Sequence, residues 1–201
     1  MVVLLLLGIL LAIAIPTFLG TTNTANDRSA ESNLATALTD AQVQYQNGGQ
    51  SYFVGGIQDS AGFATLLTNA QLSLAFKAGS LGGTVAQGSS GSMSSISVAV
   101  SADGNGLVMA AYSLPGNCFY VVQNSNALSL QSIAAAPYTG TTAVTQSAVP
   151  APAGTIGLPT GTGTNYAEVM GDTTKADCNA YSPMTSGSPA TVQYLTSGFP
   201  K

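Results

Sequence analysis

The sequence predicts an α+β protein in which a long N-terminal helix packs on an antiparallel four-stranded meander, with a disulfide-closed C-terminal region. Three observations carry that expectation. An uncharged apolar run, Met1–Leu19, continues without punctuation into a segment of helical periodicity. Four short runs between Ser95 and Ile133 alternate apolar and small or polar residues and are separated by Gly, Asn and Pro turns. Two cysteines, Cys118 and Cys178, flank the later part of the chain.

The first element starts with MVVLLLLGILLAIAIPTFL, and the first charge on the chain is Asp27. A helix over Met1–Leu19 is roughly 28 Å long, about the hydrocarbon thickness of a bilayer. Val2, Val3, Leu4, Leu5, Leu6, Leu7, Ile9, Leu10, Leu11, Ile13, Ile15, Phe18 and Leu19 leave it apolar all round. Such a segment belongs in lipid or against other copies of itself. Beyond it, Ala30, Leu34, Ala37, Leu38, Ala41 and Tyr45 recur at three- and four-residue steps, with Asp27, Arg28, Glu31, Ser32, Asp40 and Gln44 elsewhere around the wheel. Asn47-Gly48-Gly49 supplies the stop. One helix of about 69 Å follows, if unbroken. Its residues 1–24 protrude and its residues 25–46 pack on a head made by residues 25–201. Gly8 and Pro16 weaken the rod, by about 1 kcal/mol of propensity and about 3 kcal/mol of lost hydrogen bonding and clash. Ile9–Ile15 is therefore the expected place for a kink or a melted turn.

The connecting region 47–94 holds one further helix, over Ala61–Leu72, capped by Asp59-Ser60 and presenting Phe63, Leu66, Leu67 and Ala70. Ala78–Ser95 is rich in Gly and Ser and reads as a loop. The sheet is expected within 95–133, as strands Ser95–Ser101, Leu107–Tyr112, Cys118–Gln123 and Asn126–Ile133. The C-terminal region 134–201 opens with Ala134–Asn165, rich in Ala, Pro, Thr and Gly, which reads as an ordered surface excursion held between the cysteines.

Composition narrows the function classes. Only 6% of residues are charged, there is no His or Trp, and the net charge is −4. Arg28, Lys77, Lys175 and Lys201 are the only cations, too few and too scattered for a nucleic-acid face. Without His, the usual triads and the commonest general base are missing, so no catalytic residue and no cofactor is expected. Gly161-Thr162-Gly163 has neither the preceding strand nor the following apolar helix of a phosphate loop. Glu168, Asp172 and Asp177 fit no calcium-loop spacing and read as solvated acids. The Thr/Ser-rich stretch 139–164 suits O-linked sugars by composition alone. In an exported chain the two cysteines make one disulfide, whose loop of about sixty residues is worth roughly 4 kcal/mol; in a cytosolic chain they are two buried thiols.

The N-terminal segment MVVLLLLGILLAIAIPTFLG resembles the N-terminal helix of bacterial type IV pilins. Gly8-Ile9-Leu10-Leu11-Ala12-Ile13-Ala14-Ile15-Pro16 is the most specific part of the likeness, and it spans a small share of the chain. The resemblance implies a pilin fold and a structural subunit. Such a subunit is held first in the cytoplasmic membrane and then drawn by an assembly machinery into a helical homopolymer. Adhesion, twitching motility or DNA uptake are the activities such fibres serve. It further implies that Val2–Leu19 line the filament core and that the helix unwinds between Gly8 and Pro16 there. The family's basic leader, cleavage point and early glutamate have no counterpart in the sequence, and alignment on Gly8 and Pro16 places that glutamate just before Met1. A pseudopilin of a secretion system, a minor pilin and a membrane-anchored binding protein are the competing expectations.

Overall fold

A computed structural model of the chain describes residues 2–55, 59–79, 89–101, 103–126, 161–169, 178–180 and 195–199. Helix α1 runs over Val2–Asn47 and helix α2 over Ser60–Ala70. Strands β1 (Ala75–Ala78), β2 (Ser95–Val100), β3 (Gly106–Tyr112), β4 (Cys118–Asn124) and β5 (Gly163–Val169) form one sheet in the order β1-β2-β3-β4-β5.

Helix α1 holds together where its sequence gives it a face. Ala30, Leu34, Ala37, Leu38 and Ala41 are buried, and Tyr45 packs against the same core. Three of the buried residues are alanines, so the helix axis lies close to the sheet. Side-chain amides latch both flanks: Asn33 Nδ2 donates to the Met93 carbonyl at 2.9 Å, and Gln42 Nε2 donates to Gln123 Oε1 at 3.2 Å. The helix ends where expected, with Gly49 and Gln50 both at positive φ and the Gln50 amide turned back to the Tyr45 carbonyl. Helix α2 keeps its expected cap, the Asp59 carboxylate accepting from the Gly62 amide at 2.6 Å.

The sheet departs from the expected four-stranded antiparallel meander. It has five strands and is mixed, because β1 joins β2 in parallel, with Ala75 opposite Ser95 and Ala78 opposite Val98. The long connection between Ala78 and Ser95 supplies the crossover that parallel pairing needs. The hairpins β2–β3 and β3–β4 are antiparallel as expected, with registers Val98 to Met109 and Ala110 to Tyr120. The other side of β4 is taken by β5 in full register, from Cys118–Val169 to Asn124–Gly163. The edge assigned by sequence to Asn126–Ile133 is therefore occupied by Gly163–Val169, which begins within the last three residues of the expected surface excursion Ala134–Asn165 and runs past it. Residues 127–133 fall outside the described residues, as do residues 134–160 of the expected excursion.

Both faces of the sheet are covered. Ile96, Val98, Val100, Leu107, Met109, Ala111, Phe119 and Val121 face α1 and α2 together with Tyr52, Phe63, Leu67 and Phe76. The opposite face carries Val108, Ala110, Tyr112, Tyr120, Val122, Ala167 and Val169, with Cys178 and Ala180 laid against it. Cys118 and Cys178 form the disulfide, their Cα atoms 5.6 Å apart. Beside it the Ala180 amide donates to Ser97 Oγ at 3.0 Å, and the Ser90 amide donates to the Cys178 carbonyl at 2.8 Å. Burial on both faces explains why β3 is buried at every position rather than at alternate ones.

The turn between β2 and β3 meets the end of α1. The Tyr52 amide donates to the Gly104 carbonyl at 2.8 Å, and Gly104 has φ +69° with no room for a Cβ beside Phe53. Helix α1 thus crosses the head from Asp27, beside the start of β4, to Tyr45, beside the β2–β3 turn.

Candidate membrane and assembly surface

The residues expected to build a filament core all stand on one exposed rod. Val2, Val3, Leu4, Leu5, Leu6, Leu7, Ile9, Leu10, Leu11, Ile13, Ile15, Phe18 and Leu19 are each at least half exposed, from 51% at Leu7 and Ile9 to 71% at Leu4. Among the described residues, none of the rod's most apolar window is buried. Burying these side chains is worth on the order of 15–20 kcal/mol, more than the net stability of an ordinary domain. Water is the wrong solvent for this rod. Its length and composition are those of a helix able to cross a membrane, and a signal sequence near an N-terminus has the same character.

Helical structure passes through Gly8 and Pro16 without interruption. Pro16 has no N–H to give to the Ala12 carbonyl, and next to it the Thr17 hydroxyl donates to the Ala14 carbonyl at 2.9 Å and to the Ile13 carbonyl at 3.2 Å. The pattern continues toward the head. Thr21 and Thr22 each donate to the Phe18 carbonyl at 2.9 Å, and Thr24 donates to the Gly20 carbonyl at 3.2 Å. Each hydroxyl is satisfied by its own helix, so this polar-looking stretch adds little cost to lodging the rod in an apolar medium. The sequence shows four threonines here; their back-bonding is what only the structure reveals.

Charge begins sharply where the rod meets the head. Asn117 Nδ2 donates to both Asp27 carboxylate oxygens at 3.2 Å, tying α1 to the start of β4. Arg28 pairs with Glu31 at 2.8 Å within the helix, the Arg side chain 61% exposed and the Glu 15%. An i, i+3 pair of this kind contributes a few tenths of a kcal/mol. Glu168, on the helix-facing side of β5, completes an acidic group. Its carboxyl is held above the usual range by burial first and by the charges of Asp27 and Glu31 second, with Arg28 opposing. Asp172 and Asp177 lie outside the described residues, so the three acids weighed from the sequence as a calcium site are not seen together.

No protein-family model matches this sequence, and neither a curated protein nor a solved structure matches it.

Proposed function

We propose that the chain is a pilin-like structural subunit, anchored by its apolar helix in the cytoplasmic membrane and assembled through the same helix into an extracellular homopolymer. The observation that carries this reading is the rod: thirteen large apolar side chains held clear of a head whose own core is complete without them. A membrane and a bundle of identical helices both satisfy such a surface, and transfer from one to the other never exposes it to water. The sequence likeness around Gly8 and Pro16 supports the same assignment, as does the arrangement of a helix spanning one face of a sheet whose far side is closed by a disulfide. An open helical arrangement of one subunit type grows without limit, which suits a fibre. In that fibre Gly8 and Pro16 bound the segment that gives way as the rod adapts to its neighbours.

A membrane-anchored monomer is the second reading, favoured by the same rod, which is long enough to span a bilayer by itself. Electron microscopy of material sheared from cells separates the two. Filaments composed of this chain are expected; a protein that stays wholly in the membrane fraction as a monomer overturns the fibre. A reconstruction of the filament with Ile9–Ile15 fully helical would discard the melted segment while keeping the subunit.

A further inference from the structure

Among the described residues of the head three large apolar side chains stay out of its core: Val43, 52% exposed, lies late on α1, and the other two lie at the opposite end. Leu72 is 88% exposed and Leu114 is 57% exposed. Leu114 is in the β3–β4 turn, three residues before Asn117, which holds Asp27 at the root of the rod. Leu72 is in the turn between α2 and β1. Helix α2 begins beside the far end of β2, where Ser60 Oγ accepts from the Val100 amide at 2.9 Å, and it descends toward the start of the sheet. There β1 starts with Ala75 opposite Ser95, and the Ala75 amide donates to the Ser94 carbonyl at 2.9 Å. Ser95 begins β2 at the same end as Tyr112 and Cys118, since Ile96 faces Ala111 and Tyr112 faces Cys118. The two leucines therefore crown the end of the head from which the rod emerges, on turns from different parts of the chain.

We propose that this end of the head is a lipid-docking surface, with Leu72 and Leu114 seated at the headgroup–acyl boundary while the rod spans the bilayer. The inference rests on the membrane-anchored state proposed above. The geometry sets the depth. Val2–Leu19 cover about 27 Å, close to a hydrocarbon core of about 30 Å. Asp27 then lies roughly 10 Å past the edge of the hydrocarbon, a few ångströms beyond the headgroup zone, which is about 6 Å deep on each side. Leu114 is three residues from Asn117 on the same turn, and three residues span at most about 10 Å, the distance back to that boundary. Leucines at the interface gain from partial burial, and two contacts beside the rod fix the tilt of the head as one contact cannot. The attraction is apolar. Among the described residues at this end, Asp27, Glu31 and Glu168 outnumber Arg28, so anionic headgroups gain nothing over zwitterionic ones.

The chain has no tryptophan, so a single introduced indole reports its own surroundings. The full-length chain is reconstituted in phosphatidylcholine vesicles carrying lipids brominated near the headgroup end of the acyl chain. Four variants are compared: Phe18→Trp in the rod, Leu72→Trp, Leu114→Trp, and Asn105→Trp at the far end of the head. Phe18, Leu72 and Leu114 are exposed and Asn105 is half-buried in the β2–β3 turn, and the far-end variant controls for the liking of indole for interfaces. Bromolipid is expected to cut Phe18→Trp, Leu72→Trp and Leu114→Trp emission by about two-fold or more and to leave Asn105→Trp unchanged. Replacing part of the phosphatidylcholine by phosphatidylglycerol is expected to leave the quenching the same. Quenching of Phe18→Trp alone overturns the docking surface and leaves the anchored rod standing. Absence of quenching at Phe18→Trp overturns the anchored rod itself. Emission at positions 72 and 114 that responds to protein density in the vesicle and not to bromolipid assigns the leucines to a second copy of the chain, and also overturns lipid docking.

Discussion

Glu168 is an ionisable side chain that the fold places at a cost. It sits between β5 and the root of the helix, desolvated and facing the carboxylates of Asp27 and Glu31, with Arg28 as partial relief. A carboxyl raised above its ordinary value of 4.5 favours the folded state most when protonated. Its contribution is therefore full below the ordinary glutamate range and is lost as pH rises through the raised value. Glu168→Gln removes the charge and keeps the shape. The variant is expected to melt roughly a degree or two higher than the parent at neutral pH, because the site is partly open to solvent and screened. The gain should shrink to nothing as the pH falls below 4.5. Calorimetry across that range checks both the sign and the window; a variant less stable at neutral pH would show that Glu168 is held by Arg28 rather than strained by its acidic neighbours. The same neighbourhood was only half legible from the sequence. Asp27, Arg28 and Glu31 share one helical stretch and announce themselves, whereas Glu168 joins them only because β5 returns beside β4.

At the scale of elements, legibility followed the strength of local pattern. Helix α1 carries its start, its buried stripe and its glycine stop in consecutive residues, and α2 carries its own cap, so both were readable. Strands β2, β3 and β4 alternate, or run apolar, between short turns. Strand β1 is four residues, Ala75–Ala78, with no hairpin to its partner and a charged Lys77 in the middle, so nothing local marks it as a strand. Strand β5 reads Gly-Thr-Asn-Tyr-Ala-Glu-Val, with Ala167 and Val169 on one face and Thr164, Tyr166 and Glu168 on the other. Its identity comes from the long-range contact with β4 and from Phe199, which packs edge-on against both Phe119 and Tyr166 at 5.5 and 5.0 Å. Pairing across so long a connection leaves no trace in spacing. The disulfide joins these distant pieces, tying the start of β4 to the segment that covers the second face, over a separation of 60 residues. Loss of that crosslink frees the unfolded chain, at a cost of about 4 kcal/mol. Cys118→Ala with Cys178→Ala is therefore expected to lower the melting temperature by roughly 10 °C. Thermal melts in oxidising buffer measure it. A drop of only a degree or two would mean that the covering segment 178–180 is held by its hydrogen bonds to Ser90 and Ser97, and not by the crosslink.

The whole molecule divides its apolar surface into two populations with different solvents. The core of the head is closed: its helix contribution begins at Ala30, and the contacts that seat the helix on the sheet run from Asp27–Asn117 to Gln42–Gln123. Among the described residues, no buried residue of the head depends on a partner from residues 2–24, which are all exposed. Stability of the head and solubility of the chain are then separate properties, and one deletion distinguishes them. A chain lacking residues 2–24 loses the rod and keeps every contact that holds the half-helix to the sheet. It is expected to be monomeric in plain buffer and to melt within a few degrees of the full chain in detergent, since the removed residues contribute no burial to the fold. The full chain without detergent or lipid should sediment as large assemblies, because the thirteen exposed apolar side chains find one another. Sedimentation velocity and circular-dichroism melts on the two chains give both readings. A truncated chain that unfolds would show that the rod supports the head; a full chain that stays monomeric in buffer would show that the rod has a resting place on its own head, and would remove the reason for either a membrane or a filament.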